Sequence, residues 1–200
     1  MREQKEGVRT ILSQRKEAMV PEERLKKSHA ICRHLMKLIG RSETVMVFTS
    51  KEKEVNTRPL IMALFRQGNP VVVPIIVKAD CSLRLSYLRD ISALVPSTFG
   101  VPEPIGSEIP AAAQDISTII LPMLGFDRTG GRIGYGAGYY DRFLSKHPGL
   151  RKIGVAFGCQ EFAGLPVDEN DIRMDYIITE DGIVYQDEGI QDGDQRHAGT

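Results

Sequence analysis

The residues best suited to chemistry lie between Leu121 and Asp141, in the run Leu-Pro-Met-Leu-Gly-Phe-Asp-Arg-Thr-Gly-Gly-Arg-Ile-Gly-Tyr-Gly-Ala-Gly-Tyr-Tyr-Asp. Its six glycines let the backbone approach a ligand closely and aim several N–H groups at an anion. A helix expected over Gly138–Lys146 adds the positive end of its dipole. Arg128 and Arg132 bring guanidinium forks that match phosphate oxygens. The stretch reads as a phosphate cradle, but of neither common kind. A P-loop needs Gly-Lys-Ser/Thr after its spacer, and Gly125 is followed there by Gly130-Gly131. The dinucleotide fingerprint spaces its last two glycines three apart, whereas Gly134, Gly136 and Gly138 recur every second residue.

The other chemistry-bearing residues are scattered. Cys32, Cys81 and Cys159 are odd in number and lack metal-ligand spacing, and His29, His34, His147 and His197 form no cluster. Neither a histidine metal site nor a Ser/His/Asp triad is expected.

A cradle of this kind needs a strand before it and a helix after it, and the chain supplies both. Two helices are expected first. One covers residues 3–19, with Val8, Ile11 and Leu12 at helical spacing. The other starts at Pro21-Glu22-Glu23 and runs to Gly40. Apolar runs at 44–49 and 71–76, with a helical pattern over 57–66 between them, predict a β-α-β unit buried on both faces. Residues 82–88 alternate like a half-exposed strand. Residues 90–115 hold four prolines and read as a long extended connection. Further strands are expected at 116–121, 152–157, 176–179 and 183–185. The fold class is therefore α/β: a single domain over residues 1–186, with a mainly parallel open sheet flanked by helices. Residues 187–200 are polar and predict a disordered tail.

Lys and Arg total 26, as do Asp and Glu, and the net charge is zero. A broad electrostatic partner such as nucleic acid is excluded by that balance, so any anion site must be local. No apolar run approaches a membrane span, and the N-terminus lacks the apolar segment of a signal peptide, which predicts no membrane association and a cytoplasmic location.

Gly-Tyr-Gly-Ala-Gly-Tyr-Tyr-Asp-Arg, with the preceding Gly-Phe-Asp and Gly-Gly-Arg, resembles the signature of the 5-formyltetrahydrofolate cyclo-ligase family. The likeness extends in order over residues 5–180. It includes Lys5-x-x-x-Arg9, Pro-Glu-Glu-Arg, Phe48-Thr-Ser with Glu54, and Pro166-Val-Asp-Glu-Asn-Asp171 before Asp175. The resemblance implies conversion of 5-formyltetrahydrofolate, with or without a polyglutamate tail, to 5,10-methenyltetrahydrofolate, using ATP as co-substrate and Mg2+ as cofactor.

Carried over residue by residue, the resemblance places ATP on Lys5 and Arg9, which share one helix face, and on Arg132, Ile133, Gly134, Tyr135, Gly136, Ala137, Gly138, Tyr139 and Tyr140. It places folate on Thr49, Glu54 and the overlapping segment Tyr135–Tyr139, and the metal on Asp141 and Asp171. Catalysis falls to Arg132 and Tyr139. Some relatives carry Arg where this chain has Tyr135 and Lys where it has Ala137, and Arg128 and Arg142 are the candidates to replace that charge. A monomer is expected, with a dimer as the alternative. The competing function is a non-catalytic folate- or nucleotide-binding protein of the same fold. The acid pair argues against it, because binding alone needs no metal.

Overall fold

The computed structural model describes residues 2–166, 168 and 171–189. From residue 190 onward, the tail expected to be disordered lies outside the described residues. The chain opens with α1 (Arg2–Glu17) and α2 (Pro21–Leu38). Pro21 fits the first turn of α2 because its missing N–H has no partner to lose there, and Glu22 and Glu23 face the positive helix end. Strand β1 (Val45–Val47), α3 (Arg58–Gln67) and β2 (Val71–Val77) form the expected β-α-β unit. Helix α3 stops at Gly68, whose φ of +84° is open to glycine at little cost. A hairpin leads into β3 (Ser82–Leu88).

The proline-rich connection is more structured than expected. It forms the short hairpin β4 (Val95–Pro96) and β5 (Pro102–Glu103), followed by β6 (Ile109–Pro110), which pairs with β3. Proline is tolerated in these two-residue edge segments because no inner ladder demands its missing donor. Next come β7 (Thr118–Pro122), the hairpin β8 (Gly125–Phe126) and β9 (Arg132–Ile133), α4 (Tyr139–Lys146), β10 (Arg151–Val155), β11 (Tyr176–Thr179) and β12 (Gly182–Gln186).

The eight-stranded sheet has the order β12-β11-β10-β7-β1-β2-β3-β6. Its five central strands are mutually parallel, and the three outer ones run antiparallel to their neighbours. Successive β1 residues face opposite layers. Val45 and Val47 join Ile31 and Leu35 of α2 and Leu60 and Leu64 of α3, while Met46 joins Ile119 of β7 and Phe143 and Leu144 of α4. Covering both faces explains why the central strands read as continuous apolar runs. Helix α1 belongs to neither layer. Its Val8 and Leu12 pack with Leu124, Ile133 and Leu165 beside the sheet's carboxyl edge. Fully burying Leu12 contributes on the order of 2 kcal/mol and brings the polar residues of α1 to that edge.

Candidate active site

From β1 the chain departs to β2 on one side, while β7 lies on the other, so the strand order reverses there. Open α/β sheets bind ligands beyond the strand carboxyl ends at such a point, and a cleft of about 520 Å3 opens there. Strand β1 is shorter than its apolar run because Phe48 and Thr49 leave the ladder for loop partners. The Phe48 carbonyl accepts from the Thr57 hydroxyl at 2.8 Å, and the Thr49 hydroxyl donates to the Pro102 carbonyl at 2.5 Å. Both residues thereby line the cleft.

The glycine-rich stretch divides its work. Gly134, Gly136 and Gly138 line the cleft, with φ of +102° at Gly136 and +69° at Gly138. The other three serve packing. A Cβ at Gly125 would overlap Leu12 Cδ1, and one at Gly131 would come within 2.9 Å of Asp127 Oδ2. The buried Asp127 carboxylate closes the β8–β9 turn by accepting from the Thr129 and Gly131 amides. Only half of the expected cradle therefore faces a ligand. Gly138 precedes α4 with no side-chain cap, leaving the first amides of the helix for a ligand to satisfy.

The two arginines also separate. Arg128 pairs with Glu161 at 2.8 Å on the surface and is absent from the cleft wall. Arg132 is buried. One nitrogen of its guanidinium forms an ion pair with Asp141, and Nε has no partner. On the facing helix α1, Lys5 Nζ lies 2.8 Å from Asp168 and 2.5 Å from Asp171. Burial pulls the Lys5 ammonium down, but the hydrogen bonds to these two acids outweigh it and the net shift is upward. Arg9 Nε donates to the Gly134 carbonyl at 3.0 Å, pinning α1 to the loop.

The rest of the cleft is less charged. Pro74, Ile76 and Leu83 of β2 and β3, with Phe99 and Val101 between β4 and β5, form an apolar wall. Glu54, buried, accepts from the Lys51 amide at 2.8 Å. Tyr135 and Tyr140 stand close enough to feel its charge. Burial first, and then Glu54, push both hydroxyls far up, so both stay protonated at neutral pH.

Every site residue carried over from the family resemblance lines this one cleft: Lys5, Arg9, Thr49, Glu54, Arg132 to Asp141, and Asp171. Lys16, Lys51, Phe99 and the apolar wall were not named. Residues 5, 9, 12 and 16 fall on one helical stripe, the one signal that could have pointed to Lys16. Phe99 had no such signal, because it sits at φ +56° in an aperiodic connection. Neither candidate for the charge absent at Tyr135 and Ala137 joins the cleft wall. Arg142 bonds the Ala137 and Cys81 carbonyls, while Lys16 and Lys51 instead flank the Tyr135 ring at 4.9 and 5.5 Å.

The fold and the cleft define an α/β enzyme that presents glycine-loop amides and paired charges at a strand-order reversal. Residues 1–180 match the model of the 5-formyltetrahydrofolate cyclo-ligase family. The chain is 32% identical over 178 residues to 5-formyltetrahydrofolate cyclo-ligase of Escherichia coli K12, covering 84% of this chain and 96% of that one. It is 30% identical over 190 residues to the enzyme of the same name from Mus musculus, covering 88% and 94%. The NMR structure of Aquifex aeolicus 5,10-methenyltetrahydrofolate synthetase superposes with a TM-score of 0.79 at 28% identity, covering 96% of this chain and 98% of that one. The chain belongs to the 5-formyltetrahydrofolate cyclo-ligase family. It is an enzyme of folate one-carbon metabolism, which sets aside the non-catalytic alternative. Among the described residues no helix is long and apolar enough to cross a membrane.

Proposed function

We propose that this enzyme closes the ring of 5-formyltetrahydrofolate by transferring a phosphoryl group from ATP to the formyl oxygen, with Mg2+ as cofactor. The formyl oxygen attacks the γ-phosphorus and ADP leaves. N10 then attacks the activated carbon and gives up its proton, and phosphate departs with the former formyl oxygen. The products are 5,10-methenyltetrahydrofolate, ADP and phosphate. One observation carries the reading. The cleft that gathers Lys5, Arg9 and Arg132 around a glycine loop also holds the buried acid Glu54 and an apolar wall, so one space suits both a polyphosphate and a flat, hydrogen-bonding ring.

Phosphoryl transfer of this kind depends mainly on positioning and electrostatics. Arg132 is held by Asp141 beside the loop and can neutralise charge spreading over the transferring group. Lys5 and Arg9 hold the polyphosphate from α1. Asp141 and Asp171 both line the cleft and offer hard oxygen donors. Magnesium takes one or two carboxylates and leaves its other positions to phosphate oxygens and water, so this donor set fits it. When bound, the ion screens phosphate charge. Glu54 accepts the N–H donors of the pterin ring, Thr49 lies beside it, and Tyr139 contacts the substrate from the first turn of α4.

Mixing the protein with Mg-ATP and 5-formyltetrahydrofolate should raise the near-ultraviolet absorbance of the methenyl product, with one ADP formed per turnover. Absence of product at high enzyme concentration refutes the reading.

A further inference from the structure

We propose that Lys16 of α1 is a positioning residue for the folate end of the cleft. Acting through the Tyr135 hydroxyl, it fixes that ring at the wall and holds Glu54 oriented to accept the substrate's N–H donors. This rests on the cyclo-ligase reading above and extends it to a residue outside the cleft wall.

Lys16 is only 7% exposed, and a buried ammonium is costly unless something compensates it. Its Nζ donates to the Tyr135 hydroxyl at 2.9 Å and stands 4.9 Å from the centre of the same ring. An ammonium has donors and no acceptor, so the phenol oxygen must accept. The phenol proton is then left for another partner, and Glu54 is the acid that borders the same small void as Tyr135 and Lys16. The chemistry sets one direction, from Lys16 to Tyr135 to Glu54.

Glu54 also accepts from the Lys51 amide, at 2.8 Å. A carboxylate offers about four acceptor positions, so about two remain for a ligand in the cleft that Glu54 lines. Behind Tyr135, the Lys16, Glu54 and Gln160 side chains border a void of about 10 Å3, no larger than one water. Bulk solvent therefore does little to screen Lys16 from Glu54. The charges around Lys16 are Glu54, Lys51, Glu17 and Arg24; burial pulls its ammonium down on balance, and Glu54 does most to oppose that pull.

If Lys16 merely filled space, an apolar chain of similar length would leave substrate binding unchanged, whatever the loss of one buried charge cost in stability. A positioning role predicts otherwise. In the full chain, Lys16→Met should raise the KM for 5-formyltetrahydrofolate at least tenfold while leaving the KM for ATP within twofold, with some loss of Tm because Glu54 loses its facing cation. Lys16→Arg should recover most of the loss. In a Glu54→Gln background, where no buried carboxylate needs compensation, Lys16→Met should shift the folate KM less than twofold further. An unchanged folate KM in Lys16→Met, an equal rise in the KM for ATP, or multiplied losses in the double variant would each overturn the inference. Should Lys16→Met fail to fold, Lys16→Gln is judged by the same criteria. Product formation by the wild type keeps the two levels apart. A wild type that makes no product refutes the parent reading and this one with it, whereas wild-type turnover with an unaltered folate KM in the variant refutes this one alone.

Discussion

Asp171→Asn should separate nucleotide binding from turnover. In the cleft the Lys5 ammonium is held by Asp171 at 2.5 Å and Asp168 at 2.8 Å, and a phosphate that takes Lys5 must displace them. Asparagine keeps an oxygen that can accept from the Asp168 amide, now at 2.7 Å, so the loop retains its turn. The charge on that side of Lys5 is lost. A charge-assisted hydrogen bond is worth about 1.5–3 kcal/mol when well shielded. Here the Lys5 and Asp171 side chains are 13% and 24% exposed and Asp168 remains, so about 1 kcal/mol is the reasonable share after screening. That corresponds to roughly fivefold tighter binding of metal-free ATP by the variant than by the wild type. Turnover with Mg-ATP should fall by about a hundredfold or more, because one of the two carboxylates assigned to the metal is gone. Calorimetric titration with ATP in excess EDTA reads the first effect, and product absorbance reads the second. Metal-free ATP binding that is unchanged or weaker in the variant would show that Lys5 does not meet the phosphates, and the exchange argument would fail.

Arg132→Met should keep the folded circular dichroism spectrum, since the Asp141 left behind is 36% exposed and can be solvated, while kcat falls by about two orders of magnitude or more; a near-normal kcat removes Arg132 from the mechanism. Lys27→Met should destabilise the protein by about 1 kcal/mol at neutral pH, because Lys27 lies 2.9 Å from the largely buried Glu180. Burial pushes the Glu180 carboxyl up, but Lys27 and the Gly158 amide outweigh it and the net shift is downward. The pair's contribution is therefore present above the unfolded glutamate value and lost as pH falls through the folded one, so wild-type and variant melting curves should converge at acid pH. Gly154→Ala should lower stability by about 1–3 kcal/mol, because its Cβ would fall 2.5 Å from Met123 Sδ and 3.0 Å from Met174 Cγ; an unchanged thermal midpoint would mean that Met123 swings aside freely.

What was legible in the sequence follows from how far apart the interacting residues lie. The central strands were legible because helices cover both sheet faces, which leaves an apolar run whatever the register. The end of β1 was not, because Phe48 and Thr49 leave the ladder for Thr57 and Pro102, contacts that no local pattern announces. Six glycines looked alike, yet Gly125 answers to Leu12 on a distant helix and Gly131 to the Asp127 turn, so only tertiary packing sorts them from the three that face the cleft. Arg128 and Arg132 sit four residues apart, and burial alone decides that one is a surface partner of Glu161 and the other part of the cleft. Lys16 was hidden differently, since a lysine in so charged a helix reads as solvated until Tyr135 and Glu54 are seen around it.

The overall charge balance of 26 against 26 recurs inside the cleft, where Lys5 faces Asp168 and Asp171 and Arg132 faces Asp141. Each cation assigned to phosphate is neutralised by an acid, and two of those acids are assigned to the metal. A lone anion must break these pairs with nothing to take up the freed carboxylates, and a lone cation must do the converse. A ligand that brings both signs together can exchange partners within the cleft, replacing each internal pair by an equivalent external one. On the proposed function, the internal pairing within the cleft therefore favours the nucleotide and its metal arriving as one species.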